Sequence, residues 1–166
     1  MGLLDAKFKQ HKTQYVVQCL LAAVSVLAVL VILDAIANAA VIASLGASAF
    51  IVFAFPRLRV SRPRVVVGGH VVGAVVGTAC YWAAQVPLTE HAVAGKYVVI
   101  AWAALAVGLA IFVMTITNTE HPPASGVALG LVVQEWSYQA VVVVLVGAVA
   151  LCLAKRALRS WLTDLA

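Results

Sequence analysis

The sequence predicts an all-α membrane protein, and two observations carry that expectation. Of 166 residues, 64% are hydrophobic and 10% charged, where a soluble domain has roughly half and about a quarter. With a mean hydropathy of +1.08, the chain lacks the polar side chains to cover itself in water. The second observation is the arrangement of the apolar residues in blocks. Residues 16–33, 65–84, 97–116 and, at the short end, 138–154 each approach the roughly 20 residues that a helix needs to cross hydrocarbon. Two further apolar pieces, 40–55 and Pro122–Val133, are short or interrupted.

At the N-terminus Lys7, Lys9 and Lys12 precede the first block. That block is too long for a cleavable signal and lacks a small-residue cleavage site, so it reads as a signal anchor. The remaining cations are Arg57, Arg59, Arg62 and Arg64, then Lys96, then Lys155, Arg156 and Arg159. Lys and Arg favour the cytoplasmic side of a membrane. Four passes set the arginine cluster outside, against the rule, whereas six passes put ten of the eleven cations on one face with both termini. The expectation is therefore six membrane segments in one transmembrane domain, 1–166. They form two inverted three-segment repeats, about 16–84 and 97–154, the middle segment of each being a short half-helix. The alternative is four full spans plus two re-entrant segments. Either way the chain belongs in the cell (inner) membrane, and its net charge of +5 reports topology rather than nucleic-acid binding.

The short pieces resemble each other: "LGASAFIVFAFP" and "PPASGVALGLVV" both carry Ala-Ser and then a small residue. A half-helix starting near Ala47 leaves residues 35–46 non-helical. The second starts at the Pro122-Pro123 pair, where no donor is lost. Two such helices aim free N–H groups and partial positive charge inward from opposite faces, a fit for a small anion. The expected substrate-binding residues are Ser44, Gly46, Ala47 and Ser48 on one side and Thr119, His121, Ala124, Ser125 and Gly126 on the other. The structural alternative makes the serines caps and the small residues helix contacts.

The His121-Pro122-Pro123 triplet in "TNTEHPPASGVAL", with "SLGASAFIVFAFP" and "RPRVVVGGHVVGAVVG", resembles the HPP family of integral membrane proteins over roughly residues 34–133. The resemblance implies a four-helix description, which the six-pass count departs from. It also implies a link to nitrite transport, associated with some chloroplast and cyanobacterial members. Many members carry paired CBS motifs at the C-terminus. The sequence ends at Ala166 without them, so nucleotide regulation in cis is not expected.

Other residues stand out. Gly69, Gly73 and Gly77 make two GxxxG steps, a face for close helix packing within or between subunits. His70 lies inside a span, which makes it a functional candidate, or a neutral imidazole bonded to a carbonyl. Glu120 and His121 are a candidate gate or proton relay together with His70; alternatively Glu120 caps the helix that follows. Asp34, Asn38 and Asn118 are candidates to bond irregular backbone, and Glu90 and His91 read as solvated loop residues. Trp82, Trp136, Tyr97 and Tyr138 suit an outer aromatic belt. Cys19, Cys80 and Cys152 show no ligand spacing and read as buried hydrophobes. No metal or cofactor is expected, and Ser125 with His121 makes a poor nucleophile–base pair, so an enzyme is disfavoured. The expected function is transport of a small anion, nitrite on the resemblance, by a homo-oligomer in the bilayer. The alternative is a channel for a small neutral solute.

Overall fold

The computed structural model describes residues 11–32, 39–85 and 92–165. Lys7, Lys9, Asp34, Asn38, Glu90 and His91 lie outside them. Among the described residues six α-helices follow in order: α1 Lys12–Ile32, α2 Ala39–Ala54, α3 Pro63–Ala84, α4 Ala92–Ile116, α5 Pro122–Val133 and α6 Tyr138–Ala157, with a 3-10 turn at Arg59–Ser61 between α2 and α3.

Local chemistry sets the boundaries. Pro56 follows the end of α2, where a ring in place of an N–H cannot continue the ladder. Pro63 opens α3 and the Pro122-Pro123 pair opens α5, positions whose amides would be unpaired in any case. Before each, Arg62 (ψ 140°) and His121 (φ −122°, ψ 98°) are extended, as the proline ring requires of its predecessor. Ser137 caps α6 by accepting from the Ala140 N–H, and Lys155 and Arg156 sit in its last turn, where cations meet the negative end of the dipole.

Among the described residues four helices are long and apolar enough to cross a membrane: Lys12–Val31, Pro63–Ala84, Gly95–Ile116 and Tyr138–Ala157. This overturns the expectation of six membrane segments in two inverted repeats. At 1.5 Å per residue, α2 and α5 are about 24 Å and 18 Å long, short of a hydrocarbon core of about 30 Å. Four spans plus two re-entrant segments is the better match. The cation distribution favours six passes, but the length of α2 and α5 does not permit them.

The short helices form the centre of the bundle. α5 packs against α3, α4 and α2, and α2 against α5, α6 and α1. Three apolar clusters meet there. Leu45, Ala49, Val52 and Phe53 of α2 pack with Val66 of α3 and Leu151 of α6. Ala124, Ala128 and Val132 of α5 pack with Ala103, Ala106 and Ala110 of α4. Val41, Ala74, Val127, Leu131 and Val144 join α2, α3, α5 and α6. α1 is peripheral, with Leu20, Val24, Leu27 and Val31 all exposed, the pattern of a lipid-facing helix.

The charged helix ends gather at one end of the bundle. Lys155 Nζ donates to Ser61 O and Oγ (2.7 and 2.9 Å), and Arg59 reaches Glu120 at 3.0 Å. The C-terminal residues close the same end. Gln18 Nε2 donates to Phe53 O and Thr163 O (2.7 and 2.9 Å), the Leu165 N–H to Ala54 O, and the Tyr15 hydroxyl to Leu165 O. Gln18 is 1% exposed, a buried amide that ties α1, α2 and the tail together.

Candidate functional site

The α3 glycines bring the site together. A Cβ at Gly73 would lie 2.3 Å from Ala124 O, and one at Gly77 would lie 2.9 Å from Ala128 Cα. A Cβ at Gly69 would meet His121 Cβ at 2.7 Å and Thr119 O at 3.0 Å. The bare face of α3 thus lets α5, and the segment leading into it, lie directly on its backbone. The partner of the double GxxxG face is in the same chain.

That approach carries His121 against α3. His121 and His70 are each 0% exposed, as is Ser48 of α2. Ser48 Oγ lies 3.0 Å from His121 Nε2 and 3.2 Å from His70 Nε2, and the imidazole centroids are 5.1 Å apart. The opposite nitrogens face carbonyls: His70 Nδ1 to Val66 O at 2.7 Å and His121 Nδ1 to Val60 O at 3.1 Å. A carbonyl only accepts, so both Nδ1 atoms carry hydrogen, and in neutral rings both Nε2 atoms are bare acceptors. Ser48 also lies 2.9 Å from Ser44 O. One hydroxyl hydrogen therefore faces three acceptors.

His121 lies outside the four spans. Burial pushes its imidazole down to about 4, His70 beside it acting in the same direction and the Val60 carbonyl against. Taking a charge out of water with no opposite charge nearby disfavours the protonated form.

The other candidates lie nearby but do not form facing jaws. Residues 39–46 are helical, so Ser44 and Ser48 stand within α2 rather than at its tip. Ala40, in its first turn, packs against Gly130, late in α5. Near the start of α5, Pro123 O accepts from Ser44 Oγ at 2.6 Å. The two helices lie antiparallel along this seam, so their N-termini point apart. Gly46 and Ala47 are exposed, Ala124 is buried, and Gly126 is partly buried beside Ser44. Ser125 donates to Pro122 O within its own helix turn. Buried Thr119 bonds the Thr117 hydroxyl.

Glu120 pairs with Arg59, which also reaches Asn118 Oδ1 at 3.3 Å. Both charged side chains are about half exposed, so Glu120 serves the charged end and not His121. Cys80 and Cys152 are buried and Cys19 exposed. Among the described residues, no group of three His, Cys, Asp or Glu is placed to hold a metal ion.

The sequence reading sets Ser48 and His121 on opposite jaws and groups His70 with His121 and Glu120 as a gate or relay, so the meeting of both imidazoles at Ser48 is what it misses. It also missed Gln18, whose signal was available: an amide inside an apolar span. An apolar cavity of about 340 Å³, between α1, the end of α2 and Leu165, lies away from the histidines.

The model of the HPP transmembrane region matches residues 8–162. The chain belongs to the HPP family. Two transmembrane proteins of Dictyostelium discoideum are similar to it, 38% identical over 88 residues and 37% over 86. The matches take in 53% and 52% of this chain but 28% and 25% of those proteins, so the chain spans well under half the length of the relatives it matches. No solved structure matches. HPP membership is consistent with small-molecule transport across a membrane.

Proposed function

We propose that the chain carries a small, neutral, hydrogen-bonding solute across the membrane along the seam of α2, α3 and α5, with Ser44, Ser48, His70, Thr119 and His121 as its polar lining. The observation that supports this is the gathering of these five buried polar side chains along one seam, the other buried polar residues among those described, Gln18 and Ser61, being bonded at the charged end. A polar group inside a membrane protein is costly and marks a pathway more often than packing.

A neutral solute suits the lining better than nitrite or another anion. Pro122 and Pro123 remove two of the four donors at the N-terminus of α5, and the Ala124 N–H is taken by His121 O. The Ser44 and Ser125 hydroxyls are spent on the carbonyls of Pro123 and Pro122. Of the cations at this end, Arg59 is paired with Glu120, Lys155 is bonded to Ser61, and Arg62 and Arg64 are exposed at the start of α3 rather than buried in the seam. What the seam offers is mixed acceptors and a shared hydroxyl. With Gly73 against Ala124 the seam is closed, and passage requires α5 to move away from α3. The segment 118–121, with Asn118 at φ 55°, is the hinge for that movement.

Stopped-flow light scattering on vesicles holding the full chain tests this. Small neutral solutes such as urea should enter faster than into empty vesicles, with no dependence on voltage. Ser48→Ala should change that rate by about an order of magnitude, the scale of one buried hydrogen bond. Voltage-dependent nitrite entry without neutral flux would restore the anion reading, and no flux of either kind would remove transport along this seam.

A further inference from the structure

The hydrogen count around Ser48 does not close. Two imidazole acceptors, His70 Nε2 and His121 Nε2, lie within bonding distance of one hydroxyl, which also lies beside the Ser44 carbonyl of its own helix, and both Nδ1 hydrogens are committed to carbonyls. Buried acceptors left without donors cost about 1–3 kcal/mol each, and two bare imidazole nitrogens aimed at one oxygen also repel. Adding one hydrogen repairs the pattern. A ring protonated at Nε2 donates to Ser48 Oγ, and Ser48 donates to the Nε2 of the other ring. All three side chains are then bonded in one direction.

We propose that His70, Ser48 and His121 form a binding site for one proton, shared between the two imidazoles through the Ser48 hydroxyl. The proton enters at His121, the member whose Nδ1 is bonded to the turn at the charged end. It forms an Nε2–H bond there. Transfer inward breaks that bond as Ser48 Oγ takes the hydrogen. The original Ser48 hydrogen passes to His70 Nε2. The net change is one proton moved from His121 to His70, with the serine restored.

The elements packed around the triad bring no free charge to it among the described residues. α2 presents the Ser44 and Ser48 hydroxyls. The 3-10 turn presents the Val60 carbonyl, with Arg59 turned away to Glu120. α4 presents the Met114 sulfur beside Gly69, and the segment before α5 presents Thr119. Arg62 and Arg64 at the start of α3 are exposed, and Lys155 of α6 is bonded to Ser61. Nothing competes with the two imidazoles for the proton. The inference is independent of which solute crosses: it concerns the charge of the seam, and its test measures protons rather than flux.

The test uses the full chain in lipid nanodiscs with its histidine ring nitrogens labelled, His11→Gln and His91→Gln clearing the spectrum. At neutral pH both remaining rings should be Nδ1–H tautomers. On acidification their Nε2 signals should shift together in one step, while a pH dye reports one proton taken up per chain. Ser48→Ala should abolish the joint step and Ser48→Thr, which keeps the hydroxyl, should retain it. The proposal is overturned by an Nε2–H tautomer in either ring at neutral pH, by two independent steps in the intact triad, or by a joint step surviving Ser48→Ala. If Ser48→Ala does not fold, tautomer and proton count on the intact triad decide the matter.

Discussion

Gly73 and Gly46 are both helical glycines, yet one added methyl group has opposite consequences at the two positions. At Gly73 a Cβ falls 2.3 Å from the Ala124 carbonyl oxygen, a backbone atom that cannot swing aside, whereas at Gly46 nothing lies within 4 Å. Gly73→Ala should therefore destabilise by about 1–3 kcal/mol, as overpacking does. Gly46→Ala should be neutral or gain up to about 1 kcal/mol from helix propensity. Melting temperatures of the two variants in one detergent check this, and equal shifts would remove the close α3–α5 seam. His121 gives a second expectation. Its folded value of about 4 lies below the ordinary 6.5, so between these values the unfolded chain binds more protons than the folded one. Stability from this residue is fully present above pH 6.5 and is lost as pH falls through about 4. The melting temperature should drop across that window, and the drop should shrink in His121→Gln. A rise on acidification would contradict the buried, uncompensated imidazole.

Among the elements, α5 depends most on how its entry is built. Asn118 has φ 55°, a left-handed conformation that asparagine tolerates and β-branched residues resist. Asn118→Val should cost about 1–2 kcal/mol, while Asn118→Gly, which keeps the turn, should cost less. Arg59→Gln, at a half-exposed ion pair, should cost no more than about 1 kcal/mol. A thermal ranking with Arg59→Gln as the most damaging would place the hold on α5 in the ion pair rather than in the backbone turn. Much of this element was legible in the sequence. The Pro122-Pro123 pair fixed its start, and its apolar run ended at Val133. The four long apolar blocks likewise foretold α1, α3, α4 and α6. What composition could not reveal was the company each helix keeps. Ser48, His70 and His121 each stood out as polar residues in apolar surroundings, but nothing in one chain's spacing says that three separate segments meet at one hydroxyl. The expected start near Ala47 falls eight residues late, because residues 39–46 continue the same helix and Gly46, facing open space, breaks nothing. The double GxxxG face was legible as a contact surface, though not as one used within the chain.

Over the whole molecule, that last point withdraws support from the homo-oligomer. With Gly69, Gly73 and Gly77 occupied by α5 and its entry segment, they offer no surface to a second copy, and any self-association must use another face. The distribution of charge is open to a direct test. Lys12, the arginines from 57 to 64 and the cations from 155 to 159 lie at helix ends joined by the Lys155–Ser61, Arg59–Glu120 and Gln18–Thr163 contacts. Lys96 stands in the first turns of α4, and the other end of that helix leads to Glu120. A span of 22 residues, Gly95–Ile116, separates it from the charged end by about 30 Å. Single cysteines at Arg64, Arg159 and Lys96, in a chain whose Cys19, Cys80 and Cys152 are alanine, should react with an impermeant maleimide from different sides of intact cells. Lys96→Cys should label from outside, and Arg64→Cys and Arg159→Cys only after the membrane is opened, because cation-rich helix ends stay on the cytoplasmic side. Labelling of Arg64→Cys and Arg159→Cys from opposite sides would show that the gathered charged end does not face a single compartment, and the proton entry assigned to His121 would lose its side.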